Sequence, residues 1–150
     1  LSRKESKALI DAYYLSYPSL KSYMDKQVNL ARDQGYVETL LHRRRYLKNI
    51  NSRNAIVRSA DERNAINAPI QGSAADIIKI AMIKIHEFLK EGNYKTKMLL
   101  QVHDELVFDL YKEEANLLEP KLKSFMEEAF KLSIPLDVDM DKGRNWLDAH

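Results

Sequence analysis

The sequence predicts an α+β fold in which helices come first, a small basic β-hairpin lies near residues 36–48, and an antiparallel sheet of β-β-α-β order follows. Three patterns carry this. Apolar residues recur at helical spacing up to Gly35 and again between Ser52 and about residue 90. Two short runs, roughly Lys97–Val102 and Glu105–Asp109, read as paired strands. Leu136, Val138 and Met140 alternate with Asp137, Asp139 and Asp141 as the two faces of a last strand.

Taken in order, Ser2 with Glu5 forms a capping-box pattern, and Ala8, Leu9, Ala12 and Tyr13 continue one helix to Tyr17-Pro18. Pro18 suits the first turn of a second helix, whose Leu20, Tyr23, Met24, Gln27, Val28 and Ala31 share a face until Gly35. Tyr36 to Leu41 favour strand and lead into His42-Arg43-Arg44-Arg45-Tyr46-Leu47, a hairpin with a basic tip. From Ser52 the pattern is helical, with Arg58 and Glu62 one turn apart, and Pro69 is expected to break or kink it. Residues 70–90 then form the most apolar helix: Ile70, Ala74, Ile77, Ile78, Ala81, Ile85 and Phe88 make a stripe that Ile80, Met82 and Ile83 widen nearly all round, which predicts an interior helix stopped by Gly92. His103-Asp104 is the turn between the two strands. Residues 113–131 carry Ala115, Leu118, Leu122, Phe125, Met126, Ala129 and Phe130 at helical spacing, and Pro120 should start or bend that helix.

A chain of 150 residues is about one domain's worth, so a single core is the expectation. The lack of Cys excludes a disulfide scaffold and a thiolate metal site. No apolar run approaches the ~20 residues that cross a bilayer, and the first residues lack a signal-peptide layout, which predicts a cytoplasmic protein with no membrane partner. The net charge of +2 conceals an asymmetry: residues 1–75 hold 13 Lys/Arg against 7 Asp/Glu, and residues 76–150 hold 11 against 15. A basic half suits a polyanion, although ordinary solvated faces produce the same imbalance.

Chemistry concentrates in Gln101-Val102-His103-Asp104-Glu105-Leu106-Val107-Phe108, where two carboxylates interrupt an apolar, strand-like run. A buried carboxylate costs several kcal/mol unless a cation or donors compensate it, so Asp104 and Glu105 are candidate ligands for Mg²⁺; the plainer reading is a solvated hairpin tip. Arg63, Asn67 and Gln71 stand four apart, along one helix face. All three donate hydrogen bonds, and every base presents an acceptor in the minor groove, so this row could test duplex shape without reading sequence; ordinary helix-surface polarity is the competing account. Arg43, Arg44, Arg45 and Arg53, with His42 and Tyr46, form a basic cluster suited to DNA phosphates or simply to solvent. The Asp137, Asp139, Asp141 stripe reads as a solvent face. Two other functional classes stay open: a non-catalytic nucleic-acid-binding module that leaves Asp104 and Glu105 idle, and a metal phosphohydrolase using His86, His103-Asp104 and Asp109, whose chemistry usually sits on helices.

Gln101 to Val107 resembles the third signature motif of family A DNA polymerases of the bacterial DNA polymerase I type. In the same order and spacing, Tyr36-Val37-Glu38-Thr39-Leu40, Arg43-Arg44-Arg45-Tyr46-Leu47, Glu62-Arg63 with Asn67 to Asp76, and Asn145 to His150 are similar to that family, so the resemblance covers essentially the whole chain. It implies the end of the fingers over residues 1–66 and a portion of the palm, with a palm-type sheet, over residues 67–150. It implies that Asp104 binds the catalytic metals with Glu105 assisting, two Mg²⁺ in the intact enzyme, that His103 approaches the primer end, and that Arg63, Asn67 and Gln71 contact the primer–template minor groove. The partners so implied are primer–template DNA, a dNTP and the N-terminal remainder of the polymerase, in the cytoplasm at the nucleoid. The family's other metal-binding Asp and its nucleotide-holding fingers helix are not in these 150 residues, so the segment is expected to be inactive alone, with weak or absent Mg²⁺ binding, and to self-associate through uncovered strand edges. His42 in place of the usual Gly, Lys48 where Pro is frequent, and Pro120 depart from the family pattern.

Overall fold

Residues 2–149 are described by the computed structural model, and they form α1 (Arg3–Ser16), α2 (Pro18–Gln34), β1 (Tyr36–Glu38), β2 (Arg44–Tyr46), α3 (Ala55–Glu91), β3 (Lys97–Val102), β4 (Glu105–Asp109), α4 (Ala115–Glu127) and a 3₁₀ turn at Trp146–Ala149. His150, the last residue of the final family-like segment, lies outside the described residues. The class is α+β, as expected. In place of one core there are two compact units, Leu1–Ser73 and Ala74–His150, and each has its own buried cluster.

In the first unit, local chemistry places each boundary. The Ser2 hydroxyl accepts the Glu5 N–H at 3.3 Å, and the Glu5 carboxylate accepts the Ser2 N–H at 2.7 Å, so two orphan donors at the start of α1 are satisfied together. Pro18 opens α2, and Gly35, at φ 80°, closes it in the left-handed conformation that costs glycine little. The Gly35 carbonyl accepts the Leu47 N–H at 2.9 Å, which helps to set the pairing of β1 with β2: Tyr36 faces Tyr46, Val37 faces Arg45 and Glu38 faces Arg44. His42 sits at φ 60° in the turn, a left-handed conformation that suits Gly better than a residue with a side chain. Ala31, Val37, Leu47, Ile50 and Ala65 form the buried cluster, with Val28 and Ala68 packed against it. Asn54 caps α3 by accepting the Ile56 N–H at 3.0 Å.

Helix α3 runs unbroken for 37 residues, so of the break or kink expected at Pro69 the break does not occur. Proline removes one donor, the one that would reach the Ala65 carbonyl, and an interior proline costs ~3 kcal/mol. Ala65, Pro69 and Ser73 are all buried on one face, and the Ser73 hydroxyl donates to the Pro69 carbonyl, so packing and a side-chain bond hold the turn together. The helix is not apolar all round in its environment: Ile78, Ala81, Ile85 and Leu89 are buried, whereas Ile70 and Ile83 are 56% and 59% exposed. Its stop is also reassigned. Asn93, not Gly92, takes the left-handed conformation at φ 50°, and the Tyr94 N–H reaches back to the Leu89 carbonyl at 3.1 Å, a Schellman-type closure. Gly92 serves a different purpose, since a Cβ there would lie 2.2 Å from the Tyr94 ring, which packs against Phe88 with centroids 5.2 Å apart.

In the second unit, β3 and β4 pair antiparallel from Lys97↔Asp109 to Val102↔Glu105, with a bulge between Met98 and Leu100. Ile85, Leu89, Leu118 and Leu122 form the buried cluster beneath them, contacted by Met98, Leu106 and Phe108 from the hairpin. Helix α4 is shorter than the expected 113–131, and Pro120 lies inside it rather than at its start. Its exposed position forfeits one hydrogen bond without disturbing the buried face of Leu118 and Leu122. The Lys84 ammonium donates to the Glu128 and Ala129 carbonyls, both at 3.3 Å, where the helix ends.

The expected last strand is not formed: residues 136–141 pair with no strand among the described residues, so the order seen is β-β-α rather than β-β-α-β. The alternation persists only in part: Leu136 and Val138 are half-buried, whereas Met140 is exposed along with the three aspartates. Side-chain periodicity determines which face is apolar, but a strand also needs a partner's backbone groups.

Candidate active-centre hairpin and nucleic-acid face

The β3–β4 turn has two residues, and His103 takes φ 52°, an uncommon conformation in which His is several-fold enriched among non-glycine residues. The Gln101 side-chain amide donates to the His103 carbonyl at 2.8 Å and fixes that peptide. Asp104 is thereby presented at the tip, exposed, and among the described residues no hydrogen bond or ion pair reaches its carboxylate. Glu105 begins β4 opposite Val102 and is half-buried. The desolvation argument for a cation therefore does not apply to Asp104 here; its availability does. One or two carboxylates at a turn suit a hard divalent cation, which completes its shell with water and phosphate oxygens. Among the described residues no group of three or more His, Asp or Glu side chains could hold a metal ion. His86, His103, Asp104 and Asp109 accordingly form no such centre, and Asp109 is at the far end of β4 from the turn. That removes the phosphohydrolase constellation.

The other end of the hairpin is tied down by Glu114, which pattern reading did not single out. Its carboxylate accepts the Lys95 N–H at 2.9 Å, the Thr96 N–H at 3.0 Å and the Thr96 hydroxyl at 2.7 Å, while the Thr96 hydroxyl oxygen accepts the Tyr111 N–H at 3.0 Å. Lys95 lies 4.4 Å over the Tyr111 ring. Burial pushes the Glu114 carboxyl up, but the Lys95 and Thr96 donors outweigh it and hold the group below the ordinary glutamate range. A depressed carboxyl stabilises the fold above its unfolded value, and that contribution disappears as pH falls through the lowered one. Thermal melts from pH 7 to pH 3 should show wild type losing stability across the acid range, and Glu114→Gln should flatten that loss; equal slopes would refute the assignment.

In the first unit, Arg63, Asn67 and Gln71 are all exposed on α3 at four-residue spacing. Arg63 makes one long contact, 3.5 Å to the Ser59 hydroxyl, and Asn67 and Gln71 have no side-chain partner among the described residues. The basic hairpin divides in two. Arg45 and Arg53 are exposed without an ion pair among the described residues. Arg44 is committed locally, with its Nε 2.9 Å from Glu38 and its guanidinium 4.4 Å over Tyr36. The Arg44 hydrogen bond holds the Glu38 carboxyl low against the opposing effect of burial, with His42 assisting, and Arg44 is raised in return. Arg43 donates to the Gly72 carbonyl at 3.1 Å. Ser73 and Gly72, which join this hairpin to α3, carried no signal in the sequence beyond lying in the family-like run from Asn67 to Asp76.

A sequence model of DNA polymerase family A matches residues 1–148. The chain belongs to DNA polymerase family A. Over 149 residues this family A chain is 55% identical to DNA polymerase I of Streptococcus pneumoniae serotype 4 (strain ATCC BAA-334 / TIGR4) and 51% identical to DNA polymerase I of Bacillus subtilis (strain 168), covering 99% of its own length in both cases. It spans 17% of the length of each of those relatives. Among solved structures it matches the POL domain of Pol1 from M. smegmatis, in a complex with DNA primer-template and dNTP, at 43% identity and a TM-score of 0.96, covering 99% of this family A chain and 26% of that one. No helix among its described residues is long and apolar enough to cross a membrane.

Proposed function

We propose that this chain contributes part of the catalytic centre and part of the duplex-binding surface of a DNA polymerase that adds nucleotides from dNTPs to a primer 3′-hydroxyl. The observation that carries the reading is the exposed Asp104 carboxylate, unpaired among the described residues, at the tip of a two-residue turn in a chain of polymerase family A. Asp104 would hold divalent cations, Mg²⁺ in this proposal, with Glu105 beside it. When bound, two such ions lower the pKa of the primer hydroxyl and neutralise the leaving pyrophosphate. His103, in the same turn, would lie at the primer end. The end of the fingers corresponds in this reading to residues 1–66 and the palm portion to residues 67–150.

Arg63, Asn67 and Gln71 would donate to purine N3 or pyrimidine O2 in the minor groove, a check on pair geometry that is indifferent to sequence. Arg45 and Arg53 are the members of the basic cluster free to meet phosphates, while Arg43 and Arg44 act there mainly as scaffold. The solved relative was captured with DNA primer-template and dNTP, which supports the same partners here.

Substituting Asp104 in the complete polymerase tests the reading: primer extension should be lost while primer–template binding is kept, and undiminished extension would overturn it. DNA binding that ignores Asp104, with no Mg²⁺ dependence of any activity, would instead indicate a non-catalytic binding module. The chain purified by itself is expected to extend no primer, because it offers one or two carboxylates where two-metal chemistry needs more. Measurable extension by the isolated chain would refute that part. Exposed Leu99 and Leu100 on β3, with the unpaired outer edges of a two-stranded sheet, favour self-association of the isolated chain.

A further inference from the structure

We propose that Ser73 is a positioning residue for DNA binding: its buried hydroxyl locks the basic hairpin onto the turn of α3 that presents Gln71, so that Arg45 and the minor-groove donors meet the duplex as one preformed surface. The proposal rests on the DNA-binding reading given above. Ser73 is only 8% exposed. Its single hydroxyl proton goes to the Pro69 carbonyl one turn back, which leaves the oxygen lone pairs facing the hairpin, where they accept the Leu40 N–H at 2.9 Å. Leu40 belongs to the turn that joins β1 to β2, so this bond anchors the hairpin at its tip.

Two further contacts converge on the same turn of α3. Arg43 donates to the Gly72 carbonyl at 3.1 Å, and a Cβ at Gly72 would lie 2.6 Å from the Thr39 methyl, so the hairpin lies directly on the helix where it has no side chain. Thr39 in turn accepts the Arg43 N–H at 3.2 Å, which keeps the tip folded. Arg45 stands on the same hairpin, one residue from Arg44 and opposite Val37. Free to swing, it would lose its fixed distance from Gln71, and the entropy of fixing it would fall on the binding step. The serine hydroxyl bonds backbone groups of both elements, Leu40 in the hairpin and Pro69 in the helix.

Valine and threonine have nearly the same shape and differ in the hydroxyl, so they form the test pair in the complete polymerase. Ser73→Val is expected to weaken primer–template binding about fivefold and to flatten its salt dependence by about one unit, the signature of one lost phosphate contact. The rate at saturating DNA should stay within about twofold, because the reacting groups are untouched. Ser73→Thr should restore both affinity and salt slope, and Arg45→Ala should cost less affinity in the valine background than in wild type. If the valine protein does not fold, Gly72→Ala, which pushes on the Thr39 methyl, should give the same loss of affinity and slope. Valine and threonine proteins that bind DNA alike, with Arg45→Ala costing the same in both, would overturn the positioning role alone. Unaltered DNA affinity after both Arg45→Ala and Gln71→Ala would overturn the DNA-binding reading and the proposal with it.

Discussion

Asp104→Asn in the complete polymerase is expected to reduce primer extension by a factor of about 10³ or more, equivalent to roughly 4 kcal/mol of transition-state stabilisation. Asparagine keeps the size of the side chain and its ability to bond, so the turn held by Gln101 and by the left-handed His103 should not change. Only the negative charge goes, and that charge is what would balance a divalent cation beside the reacting phosphate. Primer–template affinity should stay within about threefold, because an anion near the DNA backbone does not contribute attraction that could be lost. Single-turnover extension together with equilibrium binding separates the two effects. Extension within tenfold of wild type would show that Asp104 is not a metal-binding group.

Ile85→Ala should destabilise the second unit by about 3 kcal/mol, within the range of 2–5 typical for emptying a fully buried aliphatic site. Ile85 is completely buried, and it is the centre of a small cluster shared with Leu89, Leu118 and Leu122. A domain of this size has only about 5–15 kcal/mol in total, so the loss is a large fraction of it. Met98, Leu106 and Phe108 rest on that cluster, and a cavity at Ile85 would loosen the platform of the hairpin as well. Ile83→Ala is the natural contrast, since Ile83 is 59% exposed and its removal should change stability by no more than ~0.5 kcal/mol. Paired denaturant melts measure both; similar shifts would mean that the cluster is not the load carrier proposed.

That contrast also explains where the sequence was readable and where it was not. Caps and turns were legible because their causes are local: Ser2 with Glu5, Pro18, Gly35 and the two-residue His103-Asp104 turn act within four or five residues of themselves. Strands β3 and β4 were legible because each finds its partner immediately across that turn. That the helix would not break at Pro69 was not legible, because the local penalty is set against burial of Ala65 and Ser73, which only the folded chain reveals. Residues 136–141 misled for the converse reason, since alternation describes a face and is silent about a partner. At the candidate site, Asp104 stood out through its neighbours, and the row Arg63, Asn67, Gln71 through its spacing. Arg44 could not be separated from Arg45 by residue type, because the division arises from the register that sets Glu38 opposite Arg44. Ser73 and Glu114 act through bonds to backbone amides 33 and 18 residues away, and no periodicity marks such bonds.

The clasp between Glu114 and Thr96 has a kinetic corollary. It closes a loop of 18 residues that contains the whole β3–β4 hairpin, so strand register, turn and fastening are all written in one contiguous stretch. Small loops close at low entropic cost and hairpins form within about 1–10 μs, so this piece should assemble early, ahead of pairings between distant segments. Nascent chains would then acquire the loop bearing Asp104 as a ready-made part, around which slower neighbours dock.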